Sequence, residues 1–169
     1  MVTTPRSFFR FPTMKHLLLT LLAAGSVSLG VSQAQVYKFT VSLDGAQEVP
    51  GPGDPDGSGV ALLYVDAATS SITWDITVLN IDLPIRANHI HIGAAGTSGP
   101  VRIDFGGLLV GGPLVDTDIP ALLASPTDYY VNIHTAAFPA GAVRGQLGQG
   151  VLVPEASGSA AVVAGAVLG

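Results

Sequence analysis

Residues 60–79 read VALLYVDAATSSITWDITVL, and this stretch decides the fold class. Two runs rich in β-branched and aromatic residues, 60–65 and 72–79, flank the small polar segment 66–71, which is the layout of an antiparallel hairpin. Upstream, residues 36–43 alternate as a half-buried strand. Between them GPGDPDGSG at 51–59 can only be a loop. Downstream, runs at 87–92, 101–105, 129–134 and 142–147 supply four more strands. One short helix is expected at 119–124, with Asp118 as N-cap and Pro120 in the first turn. The 21 Gly and 12 Pro of the 169 residues interrupt the chain every few positions and favour short strands over long helices. Seven short strands with regular turn signals predict one all-β domain, a two-sheet sandwich or flattened barrel.

The ends of the chain differ from this middle. Arg6, Arg10 and Lys15 precede the apolar run 17–24, and small residues follow as far as Ser32-Gln33-Ala34. A positive segment, a short apolar segment and small residues two apart make a secretory signal peptide. Residues 1–34 are expected to be removed, leaving Gln35 as the first mature residue; Met14 would serve equally well as the start. The domain is expected over 35–148, and 149–169 form a linker and apolar tail too short to span a bilayer. The protein is thus expected to be secreted or held in the cell envelope, touching a membrane only through its signal or tail. After residue 34 the cations are Lys38, Arg86, Arg102 and Arg144 against 12 acidic residues, a net charge of −8. Such a balance repels phosphate backbones and excludes nucleic acid as a partner class. The chain has no Cys, so neither a disulfide nor a thiolate metal site is available.

Few residues stand out for chemistry. His89 and His91 are two apart on a strand and share a face, opposite Ile90 and Ile92. His134 ends another strand and shares its outward face with Asn132 and Tyr130, opposite Val131 and Ile133. If the strands are neighbours, three imidazoles converge, a donor set that holds copper or zinc with a position left open. The alternative is that each imidazole fixes the backbone where the chain turns. Arg102 and Arg144 each follow a core-type Val and are expected to face outward, either gripping an anion or pairing with local acids; Asp104 shares a face with Arg102. Asp54-x-Asp56-x-Ser58 has the opening of a calcium loop but lacks its closing Glu, which suggests a solvated loop. No nucleophile elbow, phosphate loop or dinucleotide fingerprint occurs, and no pair of carboxylates is brought together by the sequence. There is also an internal echo: IHIGAAGTSGPVR at 90–102 and IHTAAFPAGAVR at 133–144 both run Ile-His, a small-residue loop, then Val-Arg.

Several segments together resemble the CHRD domain, the module repeated in chordin. They are Leu43-Asp44-Gly45-Ala46-Gln47-Glu48-Val49-Pro50, Ala87-Asn88-His89-Ile90-His91-Ile92-Gly93, Gly99-Pro100-Val101, Tyr129-Tyr130-Val131-Asn132-Ile133-His134-Thr135 and Arg144-Gly145-Gln146-Leu147. Ala142 departs from the family pattern, which has Glu there. The resemblance covers about 36–148 and implies an extracellular, non-catalytic module that binds a protein or matrix component, with Glu48, Asn132, Arg144 and Arg102 as candidate contacts. A fainter resemblance, to Cu/Zn superoxide dismutase, implies a Greek-key, immunoglobulin-like or dismutase-like sandwich with His89, His91 and His134 as copper ligands. The chain lacks that family's disulfide, bridging His and zinc loop, which leaves the dismutase reaction without support. Val153-Pro154-Glu155 before an apolar segment resembles a PEP-CTERM sorting tail, with Ala156 in place of its second Pro and no terminal Arg cluster.

Overall fold

The computed structural model describes Met1 and residues 35–154. The expected signal peptide, apart from Met1, and the tail from residue 155 lie outside the described residues. The strands are β1 (Val36–Asp44), β2 (Ser58–Asp66), β3 (Ser71–Leu79), β4 (Ile85–Ile92), β5 (Val101–Asp104), β6 (Val110–Val115), β7 (Tyr129–Thr135), β8 (Val143–Gln146) and β9 (Val151–Val153). One helix, α1, spans Ile119–Ala124. The all-β expectation with a single short helix holds. Two strands escaped the sequence reading: β6, whose Gly111-Gly112-Pro113 reads as a turn, and the three-residue β9.

The strands form one antiparallel path, β5-β4-β7-β8-β1-β2-β3-β6, with β9 added beside β1. The path narrows in its middle, because β1 and β8 share a single residue pair, Asp44 with Arg144. It curls there, and its two halves share one core, as a sandwich would. Alternation fills the space between them. Phe39, Val41 and Leu43 of β1, Leu63 and Val65 of β2, and Ile72, Trp74 and Ile76 of β3 are all buried. Ile90, Ile103, Val131, Ile133 and Val143 belong to the same core cluster. Each such side chain stabilises the fold by roughly 1.5–3 kcal/mol. The Trp74 ring stacks on Phe105 with centroids 4.2 Å apart. Trp74 Nε1 and Asn88 Nδ2 both donate to the Leu108 carbonyl at 2.7 Å, tying β3 to β4.

Two local expectations need correction. Asp118 makes no side-chain cap bond, because its own backbone is already helical. Asp116 acts instead, its carboxylate accepting from the Asp118 amide at 2.8 Å. The loop at 51–59 is not simply solvated, and β2 begins within it at Ser58. Asp54 is buried, accepts from the Asp82 amide at 2.9 Å and donates its own N–H to the Ala142 carbonyl at 2.8 Å. Its carboxylate is therefore spent on chain packing rather than on calcium. Gly45 lies so close to the Asp54 backbone that any Cβ there would overlap the Asp54 carbonyl. Among the described residues no helix is long and apolar enough to cross a membrane.

Candidate metal centre

Register places the site. Strand β7 lies between β4 and β8, and two rows of side chains cross all three strands. One row is His89, Asn132, Arg144; the next is His91, Tyr130, Gln146. His134 stands opposite Ala87, one step diagonal from His89, and the small Ala87 side chain leaves that step open. Alternation sends Ile90, Val131 and Ile133 to the core, so the polar rows occupy the outer face of this half of the sheet.

The three imidazoles converge there. Ring centroids are 5.1 Å apart for His89 and His134, 5.4 Å for His89 and His91, and 5.8 Å for His91 and His134. One nitrogen from each ring lies within 4.8 Å of the others. The second nitrogen of each ring is engaged elsewhere. His91 Nδ1 lies 2.9 Å from the Gly99 carbonyl, and His134 Nδ1 lies 3.1 Å from the Pro139 carbonyl. A carbonyl only accepts, so both rings carry their proton on Nδ1 and leave a lone pair on Nε2. His89 points Nε2 at the Asp104 carboxylate, 3.6 Å away, which favours a proton on that nitrogen and a lone pair on Nδ1. The three lone-pair nitrogens, His89 Nδ1, His91 Nε2 and His134 Nε2, are buried without a hydrogen-bond partner. Burial holds all three imidazoles below their ordinary pKa of 6.5, and the neighbouring rings push His91 and His134 further down. They are therefore neutral bases at neutral pH.

A shell of polar side chains backs the rings. The Tyr130 ring stacks on His91 at 4.9 Å, and the Arg144 guanidinium also lies over the Tyr130 ring, 3.5 Å from its centroid. Arg144 was expected to face outward; it does stand on the outer face, but it is only 1% exposed. The 93–99 loop covers it. Arg144 Nη1 donates to Thr97 O at 2.8 Å, and Nη2 donates to Ala94 O at 3.2 Å and Gln146 Oε1 at 3.0 Å. It makes no ion pair with a local acid among the described residues. Glu48 arrives from the turn after β1 and accepts from Asn132 Nδ2 at 3.4 Å. Burial raises its carboxyl from 4.5 to about 7, against the opposing pull of Arg144 and Asn132.

Arg102 is not part of the assembly. It lies exposed on β5 and makes no ion pair among the described residues, while the acid expected beside it, Asp104, stands at His89 instead. Sequence reasoning missed Tyr130 as the ring that touches both His91 and Arg144, and Gln146, whose Nε2 donates to the carbonyls of Gly93, Thr127 and Tyr129 at 2.8–2.9 Å. It also missed Asp104 as the partner of His89 Nε2. Only the strand register reveals these, and register between β4, β5 and β7 is not written in local pattern.

The residues fit a metal ion. Six buried side-chain polar atoms lack a partner among the described residues, and five of them lie on this one face. Three are the imidazole lone pairs, each on a ring oriented by an acceptor at its far nitrogen, which is how metal-ligating histidines are held. Three nitrogens bound tetrahedrally at about 2.0–2.1 Å from an ion are about 3.3 Å apart, so ring rotations of about an ångström close the site.

The family model described as the CHRD domain matches residues 39–147, which includes every residue of this face. No curated protein and no solved structure matches the chain.

Proposed function

The chain belongs to the CHRD-domain family, and we propose that it works outside the cytoplasm as a binding module whose outer sheet face takes up one transition-metal ion. The ion is copper or zinc, and the ligands are His89, His91 and His134. One observation carries this reading: three buried imidazole nitrogens, unpartnered and mutually within 4.8 Å. Imidazole donors suit both metals, and copper binds such a set more tightly. When bound, the ion would supply Lewis acidity and, for copper, one-electron chemistry. The chain's own part is to hold the rings. Gly99 O and Pro139 O fix two tautomers, Asp104 fixes the third, and Tyr130 backs His91. Asn132, Glu48 and Arg144 brace the strands behind them.

Export is part of the same reading. It is supported by the signal-like residues 1–34 and by the extracellular setting typical of CHRD domains. Metal analysis of the full chain, purified untagged and without chelator, tests the site. We expect one equivalent of copper or zinc, and none in the variant carrying His89→Ala, His91→Ala and His134→Ala. A wild-type protein that stays metal-free after incubation with either ion refutes the proposal.

A further inference from the structure

Beside the three imidazoles an open pocket of about 520 Å³ is lined by Arg86, Ala87, His89, His134, Thr135 and Ala136, with Pro139 at its rim. Two of the three rings with unpartnered nitrogens therefore form part of its wall. Arg86 is there because of a strand irregularity. On β4, Ile85 pairs with Thr135 and Ala87 with His134, so Arg86 is the extra residue of a β-bulge. Strict alternation from Ala87, His89 and His91 would put Arg86 on the core face; a bulge re-aims such a side chain. Here it turns one of the few cations after residue 34 toward the imidazoles.

The lining carries a single charge, the Arg86 guanidinium, beside two neutral imidazoles. It contains no carboxylate, in a chain that is otherwise strongly acidic. Arg86 makes no ion pair among the described residues. Its planar fork is therefore available for a carboxylate, which it can grip through two parallel N–H bonds. Ala87, Ala136 and Pro139 supply apolar wall, which suits a short hydrocarbon portion better than a fully hydrated inorganic anion.

We propose that this pocket binds a small organic monocarboxylate, gripped by Arg86 at its charged end. This rests on the metal reading only for the further step that one carboxylate oxygen reaches the ion's open position. The Arg86 contact stands without it.

The test uses butyrate as the probe on the full chain, in two arms. In the metal-free protein, amide and imidazole NMR shifts at Arg86, His134, Thr135 and Ala136 should move saturably with butyrate. Arg86→Gln should weaken that binding about tenfold, the loss of one charge-assisted pair. Arg102→Gln, on an exposed cation away from the pocket, should leave it unchanged. In the copper-loaded protein, butyrate should also alter the Cu(II) electron paramagnetic resonance spectrum, with the same dependence on Arg86. Phosphate should compete poorly. Equal butyrate binding by wild type and Arg86→Gln, or shifts scattered away from the pocket, overturns the proposal. A protein that binds butyrate through Arg86 but takes up neither copper nor zinc refutes the metal reading alone.

Discussion

Replacing Arg144 with Met tests how the outer face is held together. The guanidinium is 1% exposed and donates three hydrogen bonds, to Thr97 O, Ala94 O and Gln146 Oε1, while covering Tyr130 at 3.5 Å. Charge-assisted bonds are worth about 1.5–3 kcal/mol each, and a desolvated cation–π contact about 2. Three terms oppose that sum. Removing a buried charge recovers its desolvation cost, Met refills the volume of the stem, and the 94–98 loop is exposed, so water can reach its freed carbonyls. The loss should then be about 2–4 kcal/mol. At about 4 °C per kcal/mol for a domain of this size, Tm should fall by about 8–16 °C. Urea melts with unchanged slope would give the free energy directly. Arg144→Lys should recover less than half, because a single ammonium cannot reach carbonyls at both ends of the loop and also lie flat on Tyr130. A change below ~0.5 kcal/mol in Arg144→Met would refute the reasoning. It would mean that the loop is held by Gln146 and Tyr130, with Arg144 only enclosed.

Three further outcomes are expected. Because the Glu48 carboxyl is raised from 4.5 to about 7, its neutral form is the one the fold favours. The stability it gives is present below 4.5 and lost as the pH rises through about 7, so wild type should weaken relative to Glu48→Gln across that window and no further above it. The histidines act with the opposite sign, since their pKa values are lowered, but they are common to both proteins and cancel in the difference. Asp104→Asn should weaken metal binding about tenfold by calorimetry, the lower end for a residue that orients a ligand, since its contact to His89 is long and exposed. Gly111→Ala should cost about 1–3 kcal/mol in a thermal melt, because a Cβ there would come within 2.5 Å of Trp74 Cζ2 and the Trp74–Phe105 stack cannot yield.

Legibility followed the range of the interaction involved. Period-two alternation is local, and it places His89 with His91, and His134 with Asn132, from the sequence alone. It could not say that β4 and β7 are neighbours, since their pairing joins residues far apart in the chain, such as His89 and Asn132. Nor could it show Arg144 buried. Alternation assigns a residue to a face, but whether a loop lies across that face depends on where residues 93–99 return. β6 was lost for a related reason. Gly-Gly-Pro is turn chemistry, yet here Gly111 is required by the Trp74 ring that packs on it. Asp118 misled because cap residues are recognised by type, and Asp116 two positions earlier offers the same carboxylate.

The internal echo takes on a physical meaning once the hairpins are seen. Each copy is a strand ending in His, a loop, and a return strand: β4 to β5, and β7 to β8. In each, the loop turns a carbonyl back onto Nδ1 of the preceding His, Gly99 in one and Pro139 in the other. The repeated pattern thus specifies an imidazole tautomer as well as a turn. The two hairpins lie side by side, so the two fixed Nε2 lone pairs face a common point, and His89 adds a third from within β4. Each buried, unpartnered acceptor costs a fold about 1–3 kcal/mol. Three together approach the whole stability margin of a small domain, about 5–15 kcal/mol. If the histidines served only to pin the chain, the contacts to Gly99 O, Pro139 O and Asp104 would suffice, and the other nitrogen of each ring could face water. Their inward convergence is a cost that a bound ion removes, which is why the geometry argues for a metal rather than for three separate turn anchors.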